Sequence, residues 1–176
     1  MNKQVTETLN ITFRKPRSTD GHPLNQLISR CPPLDTNSTY CNLLQCTHFA
    51  DTSIAAVTQQ DELVGFISGY IPPSRPDTLF VWQVAVDERC RGQNVAQRML
   101  MALIDRCQSE QSLHYIETTI TPGNTASEAL FSRVYQQLSA PIEKTVLFSR
   151  KNHFADQHDD EVLWRGGPFT KQEELQ

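Results

Sequence analysis

The apolar positions of this chain change period along its length, and the changes mark out its elements. Ile11 and Phe13 alternate with Thr12 and Arg14, the two-residue period of a half-buried strand. Leu24, Leu27, Ile28 and Cys31 recur at helical spacing behind the capping residues Ser18-Thr19-Asp20-Gly21, and Pro32-Pro33 stops that helix. A second capping cluster, Asp35-Thr36-Asn37-Ser38-Thr39, predicts a short helix with Tyr40, Leu43, Leu44 and Thr47 on its inner face. Residues 53–59 and 63–71 read as two strands around the polar turn Gln60-Asp61-Glu62. The run 78–86, TLFVWQVAV, is nearly all apolar, as a central strand covered on both faces is. Val95, Ala96, Met99, Leu100, Leu103, Ile104 and Cys107 form a helical stripe. A strand over 113–120, a second long helix carrying Ala126, Ala129, Leu130, Val134 and Leu138, a strand over 142–148 and a tail strand over 161–164 complete the chain. The order predicts an α/β (α+β) fold: one mixed sheet of about six to seven strands flanked by helices, antiparallel in its first half and βαβ-like in its second.

Composition narrows this picture. At 176 residues and 38% hydrophobic, the chain suits one domain with one sizeable core. It divides into a flexible N-terminus over 1–10, the domain over 11–169 and a tail over 170–176. Sixteen basic against twenty acidic residues give a net charge of -4, which argues against a nucleic-acid partner. No apolar run is long enough to span a bilayer, so no membrane partner is expected. The N-terminal MNKQVTETLN lacks the apolar core of a signal peptide. The five cysteines are irregularly spaced with no CxxC pair, which points to free thiols in a reducing cytoplasm. His158 and Glu161 have metal-like spacing if they lie in a helix, but two ligands do not make a site; they read as a structural hydrogen-bonding pair, and no metal is expected.

The most informative chemistry lies at 84–97. A buried strand ends at Val86, a short basic loop follows, and a helix starts near Val95. The first amides of a helix lack intrahelical partners and, with the helix dipole, form an anion site. Gly92 lets the backbone approach a pyrophosphate, with Arg89 and Arg91 adding charge; the bland alternative is a plain connection with solvated arginines.

Here Arg91-Gly92-Gln93-Asn94-Val95-Ala96 resembles the acetyl-CoA motif of the Gcn5-related N-acetyltransferases (GNAT), Arg/Gln-x-x-Gly-x-Gly/Ala. Asn94 stands where the family usually has its middle glycine; asparagine is the side chain that best tolerates positive φ. The resemblance implies a GNAT fold with acetyl-CoA as co-substrate. The backbone of Val84, Ala85 and Val86 would pair with the pantetheine arm, beside a β-bulge that splays two strands and aims an amide at the acetyl oxygen. Amides from Gly92 through Gln93, Asn94, Val95 and Ala96 to Gln97 would hold the pyrophosphate, and Asn124 would contact the pantetheine. Family members often carry a tyrosine as acid to the leaving thiolate. Phe131 holds that position here, and Tyr135 lies one turn later.

A closer resemblance spans almost the whole chain. Pro33-Leu34-Asp35-x-Asn37-Ser38-x-Tyr40, Val81-Trp82-Gln83-Val84, Glu117-Thr118-Thr119-x-Thr121-Pro122, His153-Phe154 and His158-x-x-Glu161 resemble the L-2,4-diaminobutyrate acetyltransferases of ectoine synthesis, a compatible-solute pathway. This implies transfer of acetyl to the 4-amino group of L-2,4-diaminobutyrate by direct attack in a ternary complex, in a cytoplasmic homodimer. A substrate amine with a pKa near ~10 must lose a proton before it attacks. Asp35 and Glu117 are the candidates to hold or deprotonate an ammonium. Asp35 reads equally as the cap of the second helix, and Glu117 as an outward strand position. His153 is a candidate base or substrate ligand, or else a surface residue. Asn37 is a candidate substrate contact, as are Tyr40 and Trp82, with core packing the alternative for the two aromatic residues. Two other functions remain open: a GNAT acting on another small amine or a protein N-terminus, and a non-catalytic acyl-CoA-binding module.

Overall fold

The computed structural model describes residues 9–170; most of the N-terminal segment and tail expected at 1–10 and 170–176 lies outside them. Seven strands form one sheet in the order β1-β2-β3-β4-β5-β7-β6. In chain order these are β1 (Ile11–Arg14), β2 (Ile54–Thr58), β3 (Leu63–Tyr70), β4 (Thr78–Val86), β5 (Tyr115–Ile120), β6 (Ile142–Phe148) and β7 (Glu161–Gly166). The helices are α1 (Gly21–Ser29), α2 (Thr39–Thr47), α3 (Val95–Glu110), α4 (Thr125–Gln137) and α5 (Arg150–Phe154). Among the described residues only β4 and β5 pair in parallel, joined through α3 as a βαβ unit; every other pairing there is antiparallel. The second expected βαβ unit is interrupted, because β7 inserts between β5 and β6.

Helices on both faces explain the burial of β2. Ile54 and Ala56 join the core under α3, with Met99, Leu100, Leu103 and Ile104. Ala55 and Val57 face the other way, onto Leu24, Leu27 and Ile28 of α1. Alternate residues of one strand thus feed two cores, and all five are buried.

The structure corrects the short helices. Asp20 does not cap α1; its carboxylate accepts from Arg14 at 2.7 and 2.9 Å and from the Arg17 amide at 2.7 Å. Ser38, not Asp35, caps α2, accepting from the Cys41 amide. The inner face of α2 is Asn42, Gln45 and Cys46, while Tyr40 is 70% exposed. Two amides anchor this helix: Asn25 Nδ2 donates to Asn42 Oδ1 and Asn42 Nδ2 to Gln45 Oε1, both at 2.9 Å. Nor is β4 covered along its whole length. Leu79, Val81 and Ala85 are buried, but Trp82 is 45% exposed. Among the described residues no helix is long and apolar enough to cross a membrane.

Candidate active site

The site begins where two parallel strands part. β4 pairs with β5 only from Thr78↔Tyr115 to Val81↔Thr118. The Thr118 hydroxyl donates to the Val81 carbonyl at 3.0 Å and closes the last pair. Beyond it, residues 83–86 stay paired with β3 while their other edge has no strand partner. The register against β3 slips between Ser68↔Gln83 and Gly69↔Val81, which makes Trp82 the extra residue of a bulge. The bulge thus lies two residues before the expected Val84–Val86 stretch, and it turns the Trp82 ring out of the core.

One cavity, of about 300 Å³, lies beside that free edge and is lined by Val84, Val86, Arg91, Gly92, Asn94, Val95, Ala96 and Gln97 from the strand, loop and α3. Gly92 (φ 79) and Asn94 (φ 53) both take left-handed backbone, and an added Cβ at Gly92 would meet nothing within 4 Å. The loop thus leaves open space beside Gly92, in the cavity that the N-terminus of a 16-residue helix also lines, the form a phosphate cradle requires. Arg91 stands on this cavity, and Arg133 of α4 faces it with Ala126 and Leu130. Arg89 does not contribute: its guanidinium pairs with Asp87 at 2.9 Å and Glu62 at 2.7 Å. Of the other expected cofactor contacts, Ala85 is buried beneath α1 and Gln93 faces a neighbouring surface hollow. Asn124 caps α4, accepting from the Ser127 amide at 3.2 Å.

A second cavity, of about 690 Å³, opens from the same splay and shares Val84, Ala126 and Ser127 with the first. Asp35, Asn37, Trp82 and Asn124 line it, as do Thr118, Thr119, Thr121, Phe131, His158 and Glu161. The loop carrying Asp35 is tied to β4: Gln83 Nε2 donates to the Asp35 carbonyl at 3.1 Å. Two carboxylates, Asp35 and Glu161, face this space, and none of the described residues lining it is Lys or Arg.

Three residues expected to bind or activate the substrate are not among those lining either cavity. Glu117 is 1% exposed, and its two oxygens are held by Arg75 at 2.8 Å and by Arg165, its neighbour across β7. A carboxylate between two guanidiniums binds its charge partners on both sides, and so is poorly placed to hold an ammonium or take its proton. His153 sits on α5, where its Nδ1 accepts from the Ser149 amide at 2.9 Å and its ring meets Phe148 edge-on. Tyr40 points into solvent. Tyr135 is also unsuited to act as the acid. Its hydroxyl reaches the carbonyls of Ile116 and Trp164 at 3.3 and 3.2 Å inside the core, and burial pushes its pKa well above the usual tyrosine range.

Conversely, the sequence reading missed two cavity residues as site residues. Glu161 opens β7 rather than lying in a helix, and its Oε1 accepts from Thr121 Oγ1 at 3.0 Å. His158 precedes it, with Nε2 3.8 Å from the same oxygen. Their spacing was visible, but only the pairing of β7 with β5 carries them to the splay. Among the described residues no group of three or more His, Cys, Asp or Glu could hold a metal.

A splayed sheet, a free strand edge and a helix N-terminus at one end of it define an α/β domain for a phosphate-bearing, extended acyl carrier. The chain belongs to the acetyltransferase (GNAT) family, whose sequence pattern matches residues 21–135. It is 54% identical to an L-2,4-diaminobutyric acid acetyltransferase of Methylotuvimicrobium alcaliphilum, across 90% of this chain and 91% of that relative. It is 43% identical to the enzyme of the same name from Halomonas elongata, across 89% of this chain and 81% of that relative. Among solved structures, it resembles the diaminobutyrate acetyltransferase of Paenibacillus lautus in complex with L-2,4-diaminobutyric acid and coenzyme A. The TM-score is 0.84 at 37% identity, covering 94% of this chain and 99% of that one.

Proposed function

We propose that this protein transfers the acetyl group of acetyl-CoA to the 4-amino group of L-2,4-diaminobutyrate, the acetylation step of ectoine (compatible-solute) synthesis. The observation that carries this reading is the union of the two cavities at Val84. A cradle suited to a pyrophosphate runs into a space walled by Asp35 and Glu161, whose charge suits a substrate with two ammonium groups. The relatives and the solved structure named above support the choice of amine.

Acetyl-CoA binds with its pyrophosphate on the loop and first turn of α3, aided by Arg91, and its pantetheine arm along the free edge of β4. The thioester then lies at the splay, beside Trp82. Asp35, with Asn37 and Gln83 on the same loop–strand contact, holds the amine, and the Trp82 ring walls it. The amine attacks the thioester carbon directly, with no covalent enzyme intermediate and no resident metal. With Phe131 in the cavity and the Tyr135 hydroxyl locked inside the core, the departing thiolate takes its proton from water.

We place the protein in the cytoplasm, in keeping with five free cysteines, and take 11–169 as its single domain. We propose that it works as a homodimer: β6 is one edge of the sheet and exposes Ile142, Val146, Leu147 and Phe148.

The test is release of free CoA from acetyl-CoA with a panel of amines: diaminobutyrate, ornithine, lysine, a polyamine and an N-terminal peptide. Diaminobutyrate should give the highest kcat/KM. A preference for another amine would replace the substrate. Binding of acetyl-CoA with no turnover on any amine would favour a non-catalytic acyl-CoA module, the reading that the missing helix tyrosine supports.

A further inference from the structure

Beyond the substrate, the cavity holds a histidine whose tautomer the geometry assigns. His158 Nδ1 lies 2.7 Å from the Asp159 carbonyl oxygen. A carbonyl only accepts, so Nδ1 carries the hydrogen and donates it. In the neutral ring, Nε2 then keeps a bare lone pair. That atom is 3.8 Å from Glu161 Oε1, which the Thr121 hydroxyl orients. The separation is too long for a hydrogen bond but close enough to stabilise an imidazolium once Nε2 gains a proton.

We propose that His158 Nε2 accepts the proton released by the substrate's 4-ammonium group, with Glu161 as the positioning carboxylate that stabilises the charged ring. The proposal rests on the amine-acetylation reading above. The step balances as follows. The ammonium nitrogen gives up two protons while the C–N bond forms and the thioester C–S bond breaks. One proton passes to Nε2 and on to solvent, which the ring reaches because its side chain is 42% exposed. The other passes to water, which in turn protonates the CoA sulfur.

The competing bases in the cavity are the two carboxylates. An imidazole nitrogen is by its chemistry a stronger base than a carboxylate oxygen, and so is better matched to the amine it must deprotonate. Glu161 already accepts from Thr121, and Asp35 serves as the charge partner that holds the ammonium. The other charged groups around His158 are spoken for. Asp159 and Asp156 pair with Arg150, while the Asp160 carboxylate accepts from the Arg150 amide. The Phe154 ring packs on the imidazole at 4.7 Å.

The experiment measures kcat/KM for diaminobutyrate against pH, from about 6 to about 10, for the wild type, His158→Gln and Glu161→Gln. CoA affinity is measured for each by calorimetry to confirm that the variant is folded. His158→Gln should lose about 100-fold near neutral pH and bind CoA within about twofold of wild type. Its deficit should close towards pH 10, where the amine is free without help. Glu161→Gln should lose about tenfold and shift the acidic limb to lower pH, because the imidazolium has lost its partner. A deficit for His158→Gln that is equal at every pH, or no deficit, would overturn the proposal. Loss of CoA binding would also overturn it, since His158 would then be a structural residue. A wild type that fails to acetylate diaminobutyrate would instead sink the substrate reading, and this inference with it.

Discussion

Asn94 shows how much a single residue can reveal. A family glycine is missing there, and the side chain in its place is the one that tolerates left-handed backbone; φ is 53 and ψ 30. Asn94→Val should strain the loop by about 1–2 kcal/mol, since a β-branched residue is disfavoured in that region. The KM for acetyl-CoA should rise while the KM for diaminobutyrate stays within about twofold, and Asn94→Gly should behave as wild type; initial-rate kinetics with each substrate varied decide it. The candidate base was not legible in the same way. Glu117, in a strand rich in threonines, needed a reason to be there, and its chemistry alone could not say which. The reason is a pair of arginines, one inside a proline loop and one 48 residues away on β7. Asp35 was readable as a carboxylate with two possible roles, and Ser38 settles one of them by taking the cap.

At the scale of elements, periodicity located nearly every helix and strand, because each buries a face against the sheet and the face repeats at its own period. Periodicity does not say which strand lies beside which. The insertion of β7 between β5 and β6 is a long-range choice, and it builds both the Glu117 clamp and the His158–Glu161 wall. It also failed at α2, whose inner face is made of amides bonded to each other rather than of leucines. The clamp has a measurable consequence. Glu117→Gln leaves two guanidiniums facing a neutral amide, and should cost about 3 kcal/mol in urea unfolding, the low end for a broken buried pair because Arg75 is 44% exposed. Any loss of activity should follow the loss of folded protein. The loop before α3 gives a second. Side-chain and backbone hydrogen bonds from Arg89, outweighing burial, hold the Asp87 carboxyl down to about 2. An unfolded aspartate titrates near ~3.9, so the folded state is favoured above that pH and loses this contribution as pH falls through about 2. The urea midpoint of the wild type should drop between about pH 5 and about pH 2.5. That drop should be smaller in Asp87→Asn, which starts lower at pH 5.

For the whole molecule, the open question is what covers the last strand. β2 and β3 are covered by helices on both faces, but β6 is exposed at every one of its seven residues. Val146 is 54% exposed and Phe148 42%, and Phe148 joins Tyr70, Phe80 and Trp82 around a further hollow of about 340 Å³. Isolated exposed side chains need no explanation, but a bare edge strand with four large apolar residues invites pairing with another chain. A second copy of this chain is the partner we propose, and it would also shelter the outer side of the Trp82 ring, whose inner side walls the amine cavity. Val146→Lys places a charge in the middle of that surface without touching the described core or either cavity. By light scattering, the wild type should be dimeric at micromolar concentration and the variant monomeric. Because Trp82 would lose its cover, the KM for diaminobutyrate should rise in the monomer, while CoA affinity, set at the far end of the splay by α3, should hold. A wild type that is monomeric at all concentrations would remove the dimer. A monomeric variant with unchanged KM would leave the dimer standing and separate it from the active site.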